Sequence, residues 1–161
     1  QIIFVPDENL GSWVAENLPE KKIIPWQGHC YVHSKIQAEN LQKARELHPQ
    51  AILLAHPECP KNIREKSDEI LGTGGMLRFV QNSQKKEFLI ATESGMLEKL
   101  KRETTEKQFW ALGGECLNMK KITLPKVLHC LENDEFEINV DKEVATKARQ
   151  SLEKMMALTS T

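Results

Sequence analysis

The residues best able to do chemistry sit in a few short turns of the 161-residue chain. In "WQGHCYVH" (26–33), Gly28 leads into His29, Cys30 and His33. Cys30 is expected at or just before a helix N-terminus, where free N–H groups and the helix dipole stabilise a thiolate. A thiolate is either a nucleophile or a soft metal ligand. "GGECLNMKK" repeats the plan, with two glycines, Cys116 and a second possible helix. In "AHPECP", Pro57 fixes its own φ and biases His56 towards extended backbone, so His56 and Glu58 are held in a defined relation. An imidazole can donate to a substrate carboxylate or carbonyl, and a carboxylate can take a proton. "GTGG" sets the Thr73 hydroxyl beside unobstructed backbone N–H groups, which suits a carboxylate or phosphate. No Lys-Ser/Thr follows, so it is not a P-loop. Each motif has a plainer alternative. Cys30 can be a small buried hydrophobe, Pro57 and Glu58 can open a helix, and glycine-rich turns often merely turn. Cys130, inside a helical pattern, reads as a packing residue.

These turns need a scaffold, and the hydropathy pattern supplies one. "IIFVP", "KIIPW", "AILLA", "EILG" and "EFLIAT" are short apolar runs, each followed by a polar turn and an amphipathic or helix-like stretch. That alternation predicts an α/β fold, a parallel sheet covered by helices. From Ser34 the pattern predicts a helix with Ile36, Ala38, Leu41, Ala44 and Leu47 on one face; Ser34 could cap it, or Val32 and His33 could lie in its first turn. The chain ends in another amphipathic helix, "VDKEVATKARQSLEKMMAL". Ligands of open parallel sheets bind beyond the carboxyl ends of the strands. The unusual residues sit there: Gly28 to His33, His56 to Cys59, Thr73 to Gly75 and Thr92 to Gly95. If the runs are neighbouring strands, these groups converge on one edge.

Composition removes several classes. The formal net charge is −1, which gives no electrostatic ground for a nucleic-acid or membrane surface, and no apolar run is long enough to span a bilayer. The cysteines Cys30, Cys59, Cys116 and Cys130 form no C-x-x-C pair, and a small secreted scaffold would carry more of them. A reduced, cytoplasmic protein is expected. The chain starts inside an apolar run without a Met, which suggests a fragment or a processed product.

"PDENLG", "WQGHCYVH", "AHPEC", "LGTGGM", "ATESGM" and "CLNMKKITL", in this order, resemble the C-terminal half of the quinolinate synthase family, the A protein of bacterial NAD synthesis. The resemblance covers nearly the whole chain. It implies an enzyme that condenses iminoaspartate with dihydroxyacetone phosphate to quinolinate, with a possible functional coupling to L-aspartate oxidase. It implies a [4Fe–4S] cluster held by three cysteines with one iron open to substrate, and a pseudo-threefold fold of three α/β units. Cys30 and Cys116 match two cluster ligands; the third Cys falls outside this chain. His56, Pro57 and Glu58 match the substrate-binding turn, with Glu58 as acid–base group and His56 as partner of substrate oxygens. Thr73 and His33 match further substrate-site residues. Gly72 departs from the pattern, since many members have Ser there. Cys59 matches a cysteine that is not a ligand. On this resemblance, residues 1–24 end a preceding unit, 25–112 form a complete α/β unit, and 113–161 return towards the absent first unit. Two other readings compete: an inactive scaffold or partner-binding fragment, and a Cys–His hydrolase using Cys30 with His33 or His56.

Overall fold

The computed structural model describes residues 1–159. The chain divides into two compact units, Gln1–Leu117 and Asn118–Thr161. The first runs β1 (Ile2–Phe4), α1 (Glu8–Asn17), β2 (Ile23–Pro25), a 3₁₀ turn (His33–Lys35), α2 (Ala38–Leu47), β3 (Ile52–Ala55), α3 (Lys61–Arg64), β4 (Glu69–Ile70), α4 (Thr73–Asn82), β5 (Glu87–Ala91), α5 (Gly95–Glu103) and β6 (Gln108–Ala111). The second holds a 3₁₀ turn (Met119–Lys121), α6 (Leu124–Asn133) and α7 (Lys142–Thr159).

The expected α/β fold with parallel pairing is present. Its strands form two sheets, β1–β2 and β4–β3–β5–β6, in which every pair is parallel. The four-stranded sheet explains the apolar runs. Successive strand side chains point to opposite faces, and both faces are covered. Leu53, Ala55, Leu89 and Ala91 pack with Ile36 and Leu41 of the α2 segment and with Ile63 of α3. Leu54, Phe88 and Ile90 pack on the other face with Met76 and Val80 of α4 and Met96 and Leu100 of α5. Strands buried on both sides read as continuous apolar runs.

Three details differ from the sequence expectation. The helix expected from Ser34 is interrupted: His33–Lys35 make one 3₁₀ turn, Ile36 is extended (φ −71°, ψ 121°), and α2 starts at Ala38. Ile36 is drawn into the core beside Leu41, and this costs the helix its continuity. Leu47, expected on the buried face, is 75% exposed at the last turn of α2. A sixth strand, Gln108–Ala111, pairs with β5 although its run is short and flanked by polar residues.

The chain contains a repeat at a constant offset of 86 positions, the interval from Cys30 to Cys116. β1, α1 and β2 correspond to β5, α5 and β6. The turn at His33–Lys35 and the 10-residue α2 correspond to the turn at Met119–Lys121 and the 10-residue α6.

In the second unit no residue of 118–158 is buried, and Leu124, Leu131, Phe136 and Ile138 are among its exposed apolar side chains.

Arg64 joins α1 to the turn after β3. It is 2% exposed. Its Nη1 donates to the carbonyls of Asn9 (2.8 Å) and Cys59 (3.1 Å), and its Nη2 to Ser12 Oγ (3.1 Å) and Glu16 Oε2 (3.4 Å). One buried cation thus fixes α1 against the turn after β3. Arg64→Met leaves those acceptors without their donor, and hydrogen bonds to a charged group contribute about 1.5–3 kcal/mol. Urea unfolding is expected to show a loss on the order of 3 kcal/mol. A loss within about 0.5 kcal/mol, the range of an ordinary surface change, would contradict this role.

Candidate active site and metal centre

The site grows from the carboxyl end of β3. The sheet continues one bond further, because His56 N–H donates to the Ala91 carbonyl at 3.0 Å. The turn then closes through Cys59 N–H to the His56 carbonyl at 2.9 Å, with Pro57 buried inside it. Glu58 N–H donates to His56 Nδ1 at 3.3 Å. Nδ1 is therefore an acceptor, and the proton of the neutral ring sits on Nε2.

The loop after β2 brings His33 to the same place. The two imidazoles stack with centroids 4.7 Å apart and planes 19° apart. His33 Nε2 lies 2.9 Å from Thr92 Oγ1 at the end of β5. His33 Nδ1 lies 3.0 Å from Glu58 Oε2. That approach does not meet hydrogen-bond geometry, so Nδ1 is buried without a hydrogen-bond partner. One ligand atom each from Cys30, His33 and Glu58 lies within 4.8 Å of the others, a group able to hold a metal ion.

Burial sets the charge states. It lowers His33 from an ordinary 6.5 to about 4, helped by the neighbouring His56 and opposed by Asp7 and Glu93. It lowers His56 as well. It raises Glu58, and the charge of Asp7 adds to that rise. The pocket favours neutral imidazoles and a carboxyl group that keeps its proton more readily than usual.

Two acids position the cysteine loops. Asp7, the N-cap of α1, accepts Leu10 N–H on Oδ1 (2.8 Å) and Cys30 N–H on Oδ2 (2.8 Å). Glu93, at the start of α5, accepts Gly95 N–H on Oε2 (2.7 Å) and Cys116 N–H on Oε1 (3.0 Å). The Tyr31 hydroxyl lies 3.3 Å from Cys116 Sγ, so the Cys30 loop reaches the second cysteine. Gly113 has its own role in this packing: a Cβ there would lie 1.9 Å from the Thr92 carbonyl oxygen.

The expected residues are only partly brought together. Cys30, His33, His56 and Glu58 meet, and Cys116 is linked to the Cys30 loop by the Tyr31 hydroxyl. Cys30, expected at or just before a helix N-terminus, is followed by a helix that is short. It precedes a 3₁₀ turn, because α2 begins only at Ala38. Thr73 is exposed at the start of α4 and makes no side-chain hydrogen bond among the described residues; it shares with the cluster only the carboxyl edge of the sheet. His29 is exposed. Cys59 is fully buried, its thiol donates to the Ala91 carbonyl at 3.1 Å, and burial pushes it up to about 12. Cys130 Sγ faces the Glu135 carbonyl within the second unit. Asp7 and the pairing of Glu93 with Cys116 escaped the sequence reading. Their signal is an acid just past an apolar run, 23 residues before each cysteine.

Fold and site together define a parallel α/β protein with a thiol–imidazole–carboxylate centre at the carboxyl edge of its sheet. The family model described as quinolinate synthetase A protein matches residues 1–157, and the chain belongs to that family. It is 45% identical over 159 residues to the quinolinate synthase of Clostridium novyi (strain NT), covering 98% of this chain and 53% of the relative. It is 46% identical over 160 residues to that of Caldicellulosiruptor saccharolyticus, with 98% and 53% covered. A third relative, the quinolinate synthase of Clostridium kluyveri (strain NBRC 12016), is 45% identical over 160 residues, again at 98% and 53%. The chain thus spans about half the length of the curated relatives it matches. No helix among the described residues is long and apolar enough to cross a membrane.

His33 gives a pH prediction for the metal-free protein. Its folded pKa of about 4 lies below the ordinary 6.5, so between these values the unfolded chain binds more protons. The stability from neutral His33 is complete above pH 6.5 and is lost as pH falls towards 4, at up to about 1.4 kcal/mol per pH unit. Denaturant midpoints measured across that window are expected to show this slope and to flatten in His33→Gln. An unchanged slope in His33→Gln would refute the assignment.

Proposed function

We propose that the full-length protein is a quinolinate synthase and that this chain supplies about half of its active site. The observation that carries the reading is the gathering of Cys30, His33, His56 and Glu58 at one sheet edge, with Tyr31 of the Cys30 loop reaching Cys116 Sγ, in a chain matched almost throughout by relatives named quinolinate synthase. The substrates proposed are iminoaspartate and dihydroxyacetone phosphate, the setting is the cytoplasm, and the iminoaspartate source is an L-aspartate oxidase.

The family resemblance implies a [4Fe–4S] cluster, and the donor set fits one. Thiolates suit iron–sulfur ligation. Cys30 and Cys116 would hold the cluster, with a third cysteine from outside this chain. Cys59 is too deeply buried to serve, and its thiol is already committed to a backbone carbonyl. When bound, the cluster would supply an open iron as a Lewis acid towards a substrate carboxylate or hydroxyl.

The protein's own groups do the rest. Glu58, raised by burial and by Asp7, holds and moves a proton. His56, with its proton on Nε2, donates to a substrate oxygen. His33 stays neutral and braces His56 by stacking. Thr73 and the first N–H groups of α4 take an anionic group of the substrate. Gly72 at the cap of α4 has no atom within 4 Å of a built Cβ, so the Ser common in the family would fit there.

The Cys–His hydrolase reading has thiol and imidazole close together but no hydrogen bond joining them. Among the described residues neither imidazole hydrogen-bonds the Cys30 thiol; their partners are Thr92 and Glu58. For the whole protein we propose three α/β units, with residues 1–24 ending one, 25–112 forming the next and 113–161 returning to the first. The internal repeat and the uncovered apolar residues of α6 and α7 support this division.

Tests belong in the full-length enzyme under anaerobic conditions. Cys30→Ser or Cys116→Ser is expected to abolish the visible absorbance of the cluster, and Cys59→Ser to leave it. Glu58→Gln is expected to lower kcat by about 10²–10⁴-fold with iron content intact, and His56→Ala to raise KM more than it lowers kcat. Near-normal kcat in Glu58→Gln, or cluster loss in Cys59→Ser but not in Cys30→Ser, would overturn these roles. The isolated chain is expected to form no quinolinate after reconstitution with iron and sulfide. Turnover by the isolated chain would refute the half-site reading.

A further inference from the structure

We infer that Asp7 and Glu93 are paired positioning residues, each holding a cluster-ligand cysteine by its own backbone N–H so that one device presents both thiols. The inference rests on the cluster reading above.

Each carboxylate spends one oxygen on the start of a helix and the other on a cysteine. Asp7 joins Leu10 of α1 to Cys30. Glu93 joins Gly95 of α5 to Cys116. The interval from acid to cysteine is 23 residues in both cases, and the acids stand at the same offset in the repeat as the cysteines.

The local anchors differ. Asp7 is itself the N-cap of α1. Glu93 precedes Ser94, the N-cap of α5, by one position, and reaches the first N–H of that helix. A longer side chain thus compensates for a different starting point. The outcome the two share is the bond to the cysteine N–H.

Helix capping does not explain the choice of acid at position 7. Ser and Asn cap helices about as well as Asp. Only a carboxylate offers two acceptor oxygens with no donor among them. Asp7 is 2% exposed, so its two bonds stand in for water and fix the Cys30 loop to the end of β1. Groups that orient a metal ligand in this way typically cost about 10- to 100-fold in metal affinity when removed.

The experiment uses the full-length protein, purified anaerobically. Asp7→Ser keeps a capping hydroxyl and removes the acceptor for Cys30 N–H. Asp7→Asn keeps shape but replaces one acceptor with a donor. Iron and sulfide content, the rate of bleaching by a chelator, and the melting temperature are measured for each.

The expected result is bleaching about 10- to 100-fold faster in Asp7→Ser and Asp7→Asn, and faster loss in Glu93→Gln. Asp7→Ser should fold and keep the α1 cap, with a melting temperature lowered by several degrees because Cys30 N–H loses its acceptor. If Asp7→Ser does not fold, Asp7→Asn decides. Wild-type bleaching in a folded Asp7→Ser or Asp7→Asn overturns the inference while the cluster reading stands. A wild-type protein without iron and sulfide overturns both.

Discussion

A carboxylate buried at the end of a strand must have its oxygens satisfied, and the architecture of this site follows from that requirement. Asp7 sits past β1 with almost no solvent contact, and it finds donors in the first turn of α1 and in Cys30. The cost of an unpaired buried polar group makes both bonds obligatory. The Cys30 loop is therefore tied to β1, a strand of a different sheet from the one carrying His56 and Glu58. Arg64 closes the circuit by pinning α1 to the turn after β3. Asp7 shares the tie between the Cys30 loop and the end of β1 with the bond from Glu8 N–H to the Gly28 carbonyl at 2.7 Å.

The same burial shapes the chemistry. Imidazoles that would be partly charged near neutral pH are held neutral, and Glu58 is pushed the other way. Asp7 enters twice, as a mechanical tie and as a charge that discourages ionisation of Glu58. General acid–base chemistry needs a group able to hold a proton and release it. A desolvated carboxyl beside neutral imidazoles meets that need without any unusual residue. In a water-filled turn the same three side chains would have ordinary acidities.

Much of this was legible in the residues. Leu53 to Ala55 and Phe88 to Ala91 announced strands buried on both faces, and the polar turns after them announced the edge where ligands bind. The glycine–cysteine settings at Cys30 and Cys116 stood out for the same reason. What stayed hidden depends on contacts between distant positions. The break before Ala38 follows from the burial of Ile36, which periodicity within the segment cannot report. The split into two sheets follows from pairing partners, not from any one strand. β6 is too short and too polar at its ends to declare itself. Asp7 belongs to no chemical motif in the sequence, and its second bond, to a residue 23 positions on, becomes visible only in three dimensions.

The central claim is that Cys30 and Cys116 serve one metal group at the carboxyl edge of the sheet. Diffraction at the iron absorption edge from anaerobically grown crystals of the full-length protein tests it most directly. The account predicts an iron signal bonded to both Cys30 Sγ and Cys116 Sγ, within reach of His33 and Glu58. An iron signal at Cys59 or Cys130, or a single metal held by Cys30, His33 and Glu58 without Cys116, would contradict it.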